Sequence, residues 1–215
     1  MINSEWSKSM FEFRELEKAY MKKGDELAAM RRKLPMTEVD HSYSLAGEDG
    51  EASLDELFDG KDQLIVYHFM FASDWDEGCE GCSMMVDHFG HPAHLEARNT
   101  KLVLISSAPY EKLRAFKKRM GWSVPWYSSE KSTFNRDFGG TTKAGENHLY
   151  SVFLRRGETI YLTYQTEARG VEKLGDTWSL LDITPMGRQE LWEDSPDWVK
   201  QTSTYNWWKY HDRYN

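Results

Sequence analysis

An apolar run at residues 63–71 leads into the loop that carries the only two cysteines of this chain, and this order constrains the fold most. The run lacks strict alternation of polar and apolar residues, which is typical of a strand buried on both faces in an α/β sheet. Cys79 and Cys82 then stand at the expected start of a helix, where side chains three positions apart lie close enough for a disulfide. The order of strand, C-x-x-C and helix therefore predicts an α/β fold with a redox-active dithiol.

The same alternation of strand and helix continues after the cysteines. Residues 102–106 form the next expected buried strand, and Pro109 begins a helix that Gly121 ends. Two strand-like stretches around the turn at residues 155–158 predict a hairpin, and residues 171–181 predict the last helix. The predicted core therefore has the order βαβαββα.

Three further features lie outside this core. Apolar residues recur at helical spacing from Glu5 to Lys33, and Pro35 ends the predicted N-terminal helix. The turn at residues 47–50 predicts a short hairpin ahead of the core, and the last stretch of the chain is rich in tryptophan and tyrosine. The predicted parts are an N-terminal helical extension (residues 1–35), a central α/β domain (residues 36–185) and a C-terminal extension (residues 186–215).

The long N-terminal helix and the aromatic C-terminal extension each allow two interpretations. Each could pack on the chain's own domain or lie across a partner subunit, since aromatic side chains dominate protein interfaces. A homodimer is therefore one expected assembly.

Composition and charge exclude several classes of protein. Hydrophobic residues make up 40% of the chain and aromatic residues 14%, which is too much apolar mass for a disordered chain. A formal net charge of −8 makes nucleic acid an unexpected partner, because such binding needs a surplus of cations. No apolar run is long enough for a spanning helix or a signal peptide, so we expect a cytoplasmic protein without membrane contact.

A cytoplasmic location changes how the two cysteines are interpreted. Thiols are kept reduced in that compartment, so a structural disulfide is disfavoured. A C-x-x-C sequence next to a βαβ pattern then indicates either a catalytic dithiol or a pair of metal ligands.

The stretch from residue 63 to residue 181 resembles the thioredoxin fold, with the dithiol at the start of the first core helix. More narrowly, nearly the whole chain is similar to an uncharacterised bacterial family of thioredoxin-like proteins of unknown function. The segments that carry this similarity are residues 67–71, Trp75, and residues 77–83, 116–122, 134–138 and 164–170. The resemblance implies a dithiol–disulfide oxidoreductase of unknown substrate, with residues 36–185 as its thioredoxin-like domain.

The position of each cysteine predicts its role. Cys79 is expected to be the exposed nucleophile because it lies at the helix N-terminus, and Cys82 is expected to be the resolving thiol. Attack of the Cys79 thiolate on a substrate disulfide gives a mixed disulfide, which Cys82 then releases. The expected partners are a disulfide-containing substrate, either a protein or a small molecule, and a thiol reductant. We expect no metal and no organic cofactor.

The charges around Cys79 predict a thiol of moderate acidity. The helix N-terminus favours the thiolate by roughly 0.3–1 kcal/mol, and nearby carboxylates oppose ionisation by a comparable amount. These carboxylates are Asp76, Glu77 and Glu80. Any activating cation must come from elsewhere in the fold, and the candidates are Arg155, Arg156 and Arg169. A mild or reducing dithiol is therefore expected.

Several other residues are candidates for the surroundings of the dithiol. The substrate-groove candidates are Trp75, Tyr127 and Tyr150, with core packing as the alternative. His68, within the central strand, is either a proton shuttle or a hydrogen-bonded structural residue, and the structural role is favoured.

Thioredoxins also place a cis-proline just before the strand that faces the dithiol, where the backbone docks the substrate chain. The corresponding stretch of this sequence, residues 148–151, contains no proline, and a trans bond is the default without one. The resemblance therefore does not extend to peptide docking at this position.

A peroxiredoxin-like thiol peroxidase is one alternative function. It would need proline and threonine seven and three positions before its peroxidatic cysteine, and an arginine over that cysteine. Counting back from Cys79 gives Ala72 and Asp76. The same offsets from Cys82 give Trp75 and Cys79, so neither cysteine fits the pattern.

Two more alternatives remain. A zinc site is suggested by the two cysteines and the three histidines that follow them, His88, His91 and His94. One regular helix would place Cys79 and His88 on nearly opposite faces, so helical geometry argues against a shared metal ion. The last alternative is a non-catalytic interaction module with buried, inert cysteines, since a fold does not imply a function.

Overall fold

The computed structural model describes residues 4–40 and 42–214 of the chain. The chain divides into two compact units, one up to Thr37 and one from Glu38 onward. Helix α1, Ser4–Arg31, makes up most of the first unit and ends before Pro35, as the helical spacing predicts. None of its side chains is buried. Among the described residues, no helix combines the length and the apolar character needed to span a bilayer.

A sheet of eight strands forms the centre of the second unit, and a separate two-stranded hairpin lies between its sixth and seventh strands along the chain. The strands are β1 (Thr37–Val39), β2 (Ser44–Gly47), β3 (Gly50–Ser53), β4 (Gln63–His68), β5 (Thr100–Ser106), β6 (Trp126–Ser128), the separate β7 (Thr141–Thr142) and β8 (Gly145–Glu146), β9 (Leu149–Arg156) and β10 (Thr159–Glu167). The helices that follow α1 are α2 (Glu80–Asp87), α3 (Ala93–Glu96), α4 (Tyr110–Met120), α5 (Phe134–Asp137) and α6 (Asp176–Asp182).

The strand order across the sheet is β1-β10-β9-β4-β5-β6-β2-β3. Strands β4, β5 and β6 are parallel and are joined through α2 with α3 and through α4. The predicted alternation of strand and helix is confirmed as far as α4, and the short β6 is additional to the predicted order βαβαββα. Strand β9 is antiparallel to β4, and β10 is antiparallel to β9. Gly157 has a φ of 63° at the turn of this hairpin, a conformation that glycine adopts at low cost.

Two elements differ from the sequence prediction. The hairpin β2–β3 forms as expected, but β2 also pairs with β6 and so extends one edge of the central sheet. The predicted last helix is split into a 3-10 segment, Ala168–Leu174, and α6, because the backbone of Gly175 is extended. The boundary between the central domain and the C-terminal extension at residue 186 stays a prediction.

The side chains of β4 alternate between two hydrophobic cores. Tyr67 faces a core that includes Cys82, Met85 of α2 and Leu113 of α4, and we call this side of the sheet the dithiol face. Val66 and the other residues in phase with it face a second core, which contains side chains of β2, α5 and β9 and which we call the opposite face. A shift of one residue along β4 therefore decides which core a side chain enters.

Candidate active site

The two cysteines lie at the start of helix α2, after the loop that follows β4. Cys79 is the N-cap of α2 and has extended backbone angles (φ −60°, ψ 132°). Its amide donates to the Met70 carbonyl at 3.0 Å, which ties the start of the helix to the chain that follows β4. Its own carbonyl accepts from both the amide and the hydroxyl of Ser83 at 2.9 Å. Cys79 is therefore held rigidly at the N-terminus of the helix, as the sequence predicts.

The two thiols differ in exposure and in acidity. Both are free, with Cys79 partly exposed and Cys82 only 2% exposed. The Cys82 side chain donates to the Cys79 sulfur, and with the amides of Cys82 and Gly81 it lowers the pKa of Cys79 to about 7, although burial and Glu80 oppose this effect. Burial and the neighbouring Cys79 raise the pKa of Cys82. The arrangement gives one ionisable thiol on a partly exposed residue and one buried, protonated thiol.

Tyr67 is a site residue that the sequence analysis did not identify. It is 1% exposed, and its hydroxyl donates to the Cys82 sulfur. Its ring lies 4.6 Å from the ring of Tyr150 on the neighbouring strand, measured between centroids. Burial and the negative charge of a nearby Cys82 thiolate raise the pKa of both phenols, so both hydroxyls stay protonated. Strand geometry places Tyr67 and His68 on different faces, but the sequence does not show which of these faces holds the cysteines.

His68 lies on the opposite face, away from the cysteines. It is fully buried, with Nδ1 3.0 Å from Asn135 Oδ1 and Nε2 2.9 Å from the Ser151 hydroxyl. Burial lowers the pKa of His68 to about 4, so the ring is neutral near pH 7. Because Asn135 Oδ1 can only accept, the proton is on Nδ1, and Nε2 accepts from Ser151. This geometry favours the structural role of His68 over the proton shuttle.

The three groove candidates are not all brought together. Trp75 and Tyr150 both pack in the core of the dithiol face. Tyr127 instead packs against the opposite core, where a Cβ added to Gly47 would stand 2.6 Å from its ring. Its neighbour Trp126 is the residue of β6 that faces the dithiol side. The prediction of Tyr127 as a groove residue is therefore wrong, because the alternation of β6 points its side chain to the other side of the sheet.

The arginines expected to activate Cys79 lie elsewhere. Arg155 donates to Asp55 at 3.1 Å and to the Lys61 carbonyl at 2.8 Å. Arg169 stacks on Trp192 at 4.2 Å from the ring centre, and Arg156 ends β9 beside the hairpin turn. The lowered pKa of Cys79 therefore comes from the Cys82 thiol and the helix amides instead of from these cations.

Two other arginines reach the acidic residue that precedes the C-x-x-C turn. Arg119 and Arg213 both form ion pairs with Glu77, and together they lower its pKa. Of the carboxylates expected to oppose ionisation of Cys79, Glu77 is thus neutralised by its partners.

Residues of the C-terminal extension lie on the C-x-x-C turn. The Tyr210 hydroxyl donates to the Gly78 carbonyl at 2.5 Å. The ring of Trp208 packs against Gly81, which has no side chain to hold it away. Part of the C-terminal extension therefore packs on its own domain, at the dithiol, and this contact could not be read from the sequence.

A cavity of about 840 Å³ opens on the dithiol face. Val86, Phe89, Leu102 and Tyr150 line its apolar part, and Lys101 is among the polar residues that line it. Its size is in the range of small-molecule sites. Neither cysteine lines it, and Tyr150 stands between the cavity and the Tyr67 ring.

The residues considered for zinc do not converge. His88 Nε2 is 2.6 Å from the Thr177 hydroxyl, and the ring of His91 contacts that of His94. Within residues 4–40 and 42–214, no three histidine, cysteine or acidic side chains are arranged to hold a metal ion.

The strand order, the helical crossovers and the position of the two thiols define a thioredoxin-fold protein. Among solved structures, peroxidoxin BcpB from Mycobacterium tuberculosis gives a TM-score of 0.51 at 17% identity, covering 66% of this chain and 93% of that one. A structure of peroxiredoxin Q from Xanthomonas campestris gives 0.51 at 11% identity, with coverage of 67% and 92%. At such identities the likeness shows the fold alone, and it confirms the predicted thioredoxin-like class.

The sequence assigns the chain to a narrower class than the fold does. Residues 2–214 match the family described as bacterial protein of unknown function (DUF899), and the chain belongs to that family. This match confirms the resemblance drawn from the segments around and after the C-x-x-C sequence. A sequence search of curated proteins gives no match.

Proposed function

We propose that this protein is a thiol–disulfide oxidoreductase in which Cys79 attacks the substrate and Cys82 resolves the mixed disulfide. The observation that carries the proposal is the pairing of a partly exposed Cys79 at a helix N-terminus with a buried Cys82 thiol beside it. A thiol with a pKa of about 7 is half ionised at neutral pH, which is close to the best compromise between thiolate fraction and nucleophilicity.

The second step of the reaction is supported by the surroundings of Cys82. In the resting protein its thiol donates to the Cys79 sulfur. Once Cys79 is bound to substrate, Cys82 becomes the attacking group, and the hydroxyl of Tyr67 stabilises its thiolate. The moderate pKa of Cys79 agrees with a mild or reducing dithiol, because a strongly oxidising one needs a far more acidic thiol.

The proposed reaction requires two partners, an oxidising substrate and a reductant, and we propose that it takes place in the cytoplasm. A disulfide-containing substrate supplies the bond that is reduced, and a thiol reductant returns the protein to its dithiol form. The cytoplasm, which keeps thiols reduced, is the compartment in which such a cycle would run. A homodimer stays a prediction.

The test is a redox titration of the purified chain in glutathione buffers, with alkylation of free thiols counted by mass spectrometry. We expect a reversible two-electron couple between the potentials of thioredoxin and the glutaredoxins, roughly −270 to −200 mV. The matched variant Cys82→Ser should trap a mixed disulfide at Cys79, and Cys79→Ser should trap none. If Cys79 stays unmodified by every disulfide, the proposal fails and a non-catalytic interaction module is favoured.

A thiol peroxidase is the second candidate, and the ionisable, partly exposed Cys79 is the observation that favours it. Against it, Ala72 and Asp76 stand where the peroxiredoxin pattern needs proline and threonine. Consumption of hydrogen peroxide by the reduced chain, compared with Cys79→Ser, distinguishes the two functions. A rate above that of the variant and comparable to the rate of disulfide exchange would favour the peroxidase.

A further inference from the structure

A stretch of the C-terminal extension, residues 205–214, lies directly against the C-x-x-C turn, and we call it the C-terminal segment. A Cβ added to Gly81 would stand 2.5 Å from the ring of Trp208, so the ring rests on the backbone of the turn. Tyr210 is 5% exposed, and its hydroxyl donates to the Gly78 carbonyl at 2.5 Å. The segment therefore contacts the chain on both sides of Cys79.

Ion pairs fix the position of the C-terminal segment. Arg119 of α4 donates to the two carboxylate oxygens of Asp212 at 2.9 and 3.0 Å, and Arg213 donates to Glu77 at 2.9 Å. The guanidinium of Arg119 also stands 5.1 Å from the centre of the Tyr210 ring. Partly exposed ion pairs contribute little stability, so the packed aromatic rings hold the segment and the pairs set its register.

The backbone acceptors around Cys79 are already engaged within the chain. The Met70 carbonyl accepts from the Cys79 amide, the Cys79 carbonyl accepts from Ser83, and the Gly78 carbonyl accepts from Tyr210. An extended substrate chain binds a protein mainly by pairing with such main-chain groups. The C-terminal segment occupies one of these acceptors, the Gly78 carbonyl, so a polypeptide substrate would have to displace Tyr210 before it could pair there.

We infer that the C-terminal segment restricts this dithiol to low-molecular-weight disulfides and excludes folded proteins. The inference rests on the proposed oxidoreductase function and names its substrate class. Cys79 is partly exposed although the segment contacts the turn on both sides of it, so we expect a small disulfide to reach the sulfur. A folded protein carries bulk on both sides of its disulfide, and we expect this bulk to meet the C-terminal segment, which contacts Gly78 and Gly81 on either side of Cys79.

The reaction balances without any further reagent. The Cys79 thiolate attacks one sulfur of R–S–S–R, and that bond breaks as the Cys79–S–S–R bond forms. The departing RS⁻ takes a proton from water. Cys82 gives its proton to water and attacks the Cys79 sulfur, which releases the second RS⁻. One small disulfide is reduced to two thiols, and the two protein thiols are oxidised to one disulfide.

The test compares two oxidants of the reduced full-length chain, 2-hydroxyethyl disulfide as the small probe and insulin as the protein probe. We expect the small disulfide to react at least about 100-fold faster than insulin, a difference of about 2.7 kcal/mol in barrier. Trp208→Ala should raise the insulin rate about tenfold or more and change the small-disulfide rate by less than about threefold. Rates are measured by acid quenching and counting of free thiols.

Trp198→Ala is the matched control, because Trp198 belongs to the same extension and is 69% exposed. It should leave both rates unchanged. Tyr210→Phe keeps the ring and removes the hydroxyl that binds Gly78, so it should shift the insulin rate in the same direction by a smaller factor. This variant carries the test if circular dichroism shows that Trp208→Ala does not fold.

The outcomes separate this inference from the proposed function. If the unaltered chain oxidises equally fast with both probes, or if loosening the segment leaves the insulin rate unchanged, the substrate restriction is wrong and the oxidoreductase function stands. If both rates fall in Trp208→Ala, the segment positions the dithiol instead of excluding proteins, and the inference is again wrong. If neither probe oxidises the unaltered chain, the proposed function itself fails.

Discussion

Two neighbouring residues of β4, Tyr67 and His68, are buried equally deeply but face opposite cores. His68 has a neutral partner at each ring nitrogen, Asn135 and Ser151, and neither partner changes its protonation near pH 7. Tyr67 instead bonds Cys82, whose protonation and covalent state change in the proposed cycle. Burial of a polar group therefore does not by itself indicate function. The chemistry of the group's hydrogen-bond partner distinguishes a structural residue from a functional one.

On the dithiol face, removal of the nucleophile should lower the activity more than any other substitution. Cys79→Ser should lower the rate of exchange with 2-hydroxyethyl disulfide by at least about 10³-fold, because a serine hydroxyl is not ionised near neutral pH. The rate is followed by release of free thiol. The free energy of unfolding, measured in urea, should change little because Cys79 is only partly buried. Residual exchange through Cys82 would contradict the assigned order of attack.

A substitution on the opposite face should lower the free energy of unfolding and leave the rate of disulfide exchange unaltered. His68→Leu should lower the free energy of unfolding by about 2–4 kcal/mol, because Asn135 and Ser151 lose a buried hydrogen-bond partner. Urea unfolding at pH 7 measures the change. The exchange rate per folded molecule should be unaltered, and a fall in that rate would restore the proton-shuttle interpretation.

The same variant has a distinct signature in acid. Burial lowers the pKa of His68 from 6.5 to about 4, so the unfolded chain binds a proton that the folded chain does not. The contribution of His68 to stability is present above pH 6.5 and is lost as the pH falls toward 4. His68→Leu should remove this part of the pH dependence.

The lowered pKa of Cys79 predicts how the rate of its alkylation depends on pH. With a pKa of about 7, the rate of Cys79 with iodoacetamide should rise about tenfold between pH 6 and pH 8 and then level off. An unperturbed thiol would rise nearly 100-fold over that range without levelling. Peptide mapping should find no label on Cys82, whose burial raises its pKa. Label on Cys82 at pH 7 would contradict the division of roles.

The smallest change in rate is expected for the loss of the Tyr67 hydroxyl, and this change tests the difference between Tyr67 and His68 most directly. Tyr67→Phe keeps the packed ring and removes only the hydroxyl that donates to Cys82, which favours the Cys82 thiolate. The resolving step should slow by about fivefold, the equivalent of about 1 kcal/mol for one hydrogen bond. Decay of the mixed disulfide at Cys79 measures this step, and the rate of forming that disulfide should stay unchanged. Tyr150→Phe is the matched control, because the Tyr150 ring adjoins the Tyr67 ring, and only burial and the charge of Cys82 raise the pKa of its phenol.

Local signals explain the parts of the fold that the sequence predicts well. Helix α4 ends at Gly121, which has a φ of 68°, and the hairpin β9–β10 turns at Gly157, both within a few residues of their signals. Cys79 at the start of α2 follows from the same kind of local pattern. Such features depend on neighbours along the chain and need no knowledge of tertiary contacts.

The missed features depend on distant contacts. An unbroken apolar strand does not reveal which face each residue enters, so the sequence does not single out Tyr67 and predicts the wrong side of the sheet for Tyr127. The bond from Tyr210 to Gly78 joins residues 132 positions apart, and no periodicity in the sequence indicates it. The dithiol was therefore predictable as a motif, while its surroundings were not.

The placement of β1 and β2 has a consequence for the mechanics of the sheet. Five steps along the chain, from Val39 to Ser44, span at most about 18 Å when fully extended. Strand β1 nevertheless borders β10, and β2 borders β6, with the five strands from β10 to β6 between them. Val39 and Leu45 also share one core. The sheet must therefore curl until β1 and β2 come close together. Because the connection between them is short, β1 cannot separate from β10 without pulling on β2, and β2 cannot separate from β6 without pulling on β1.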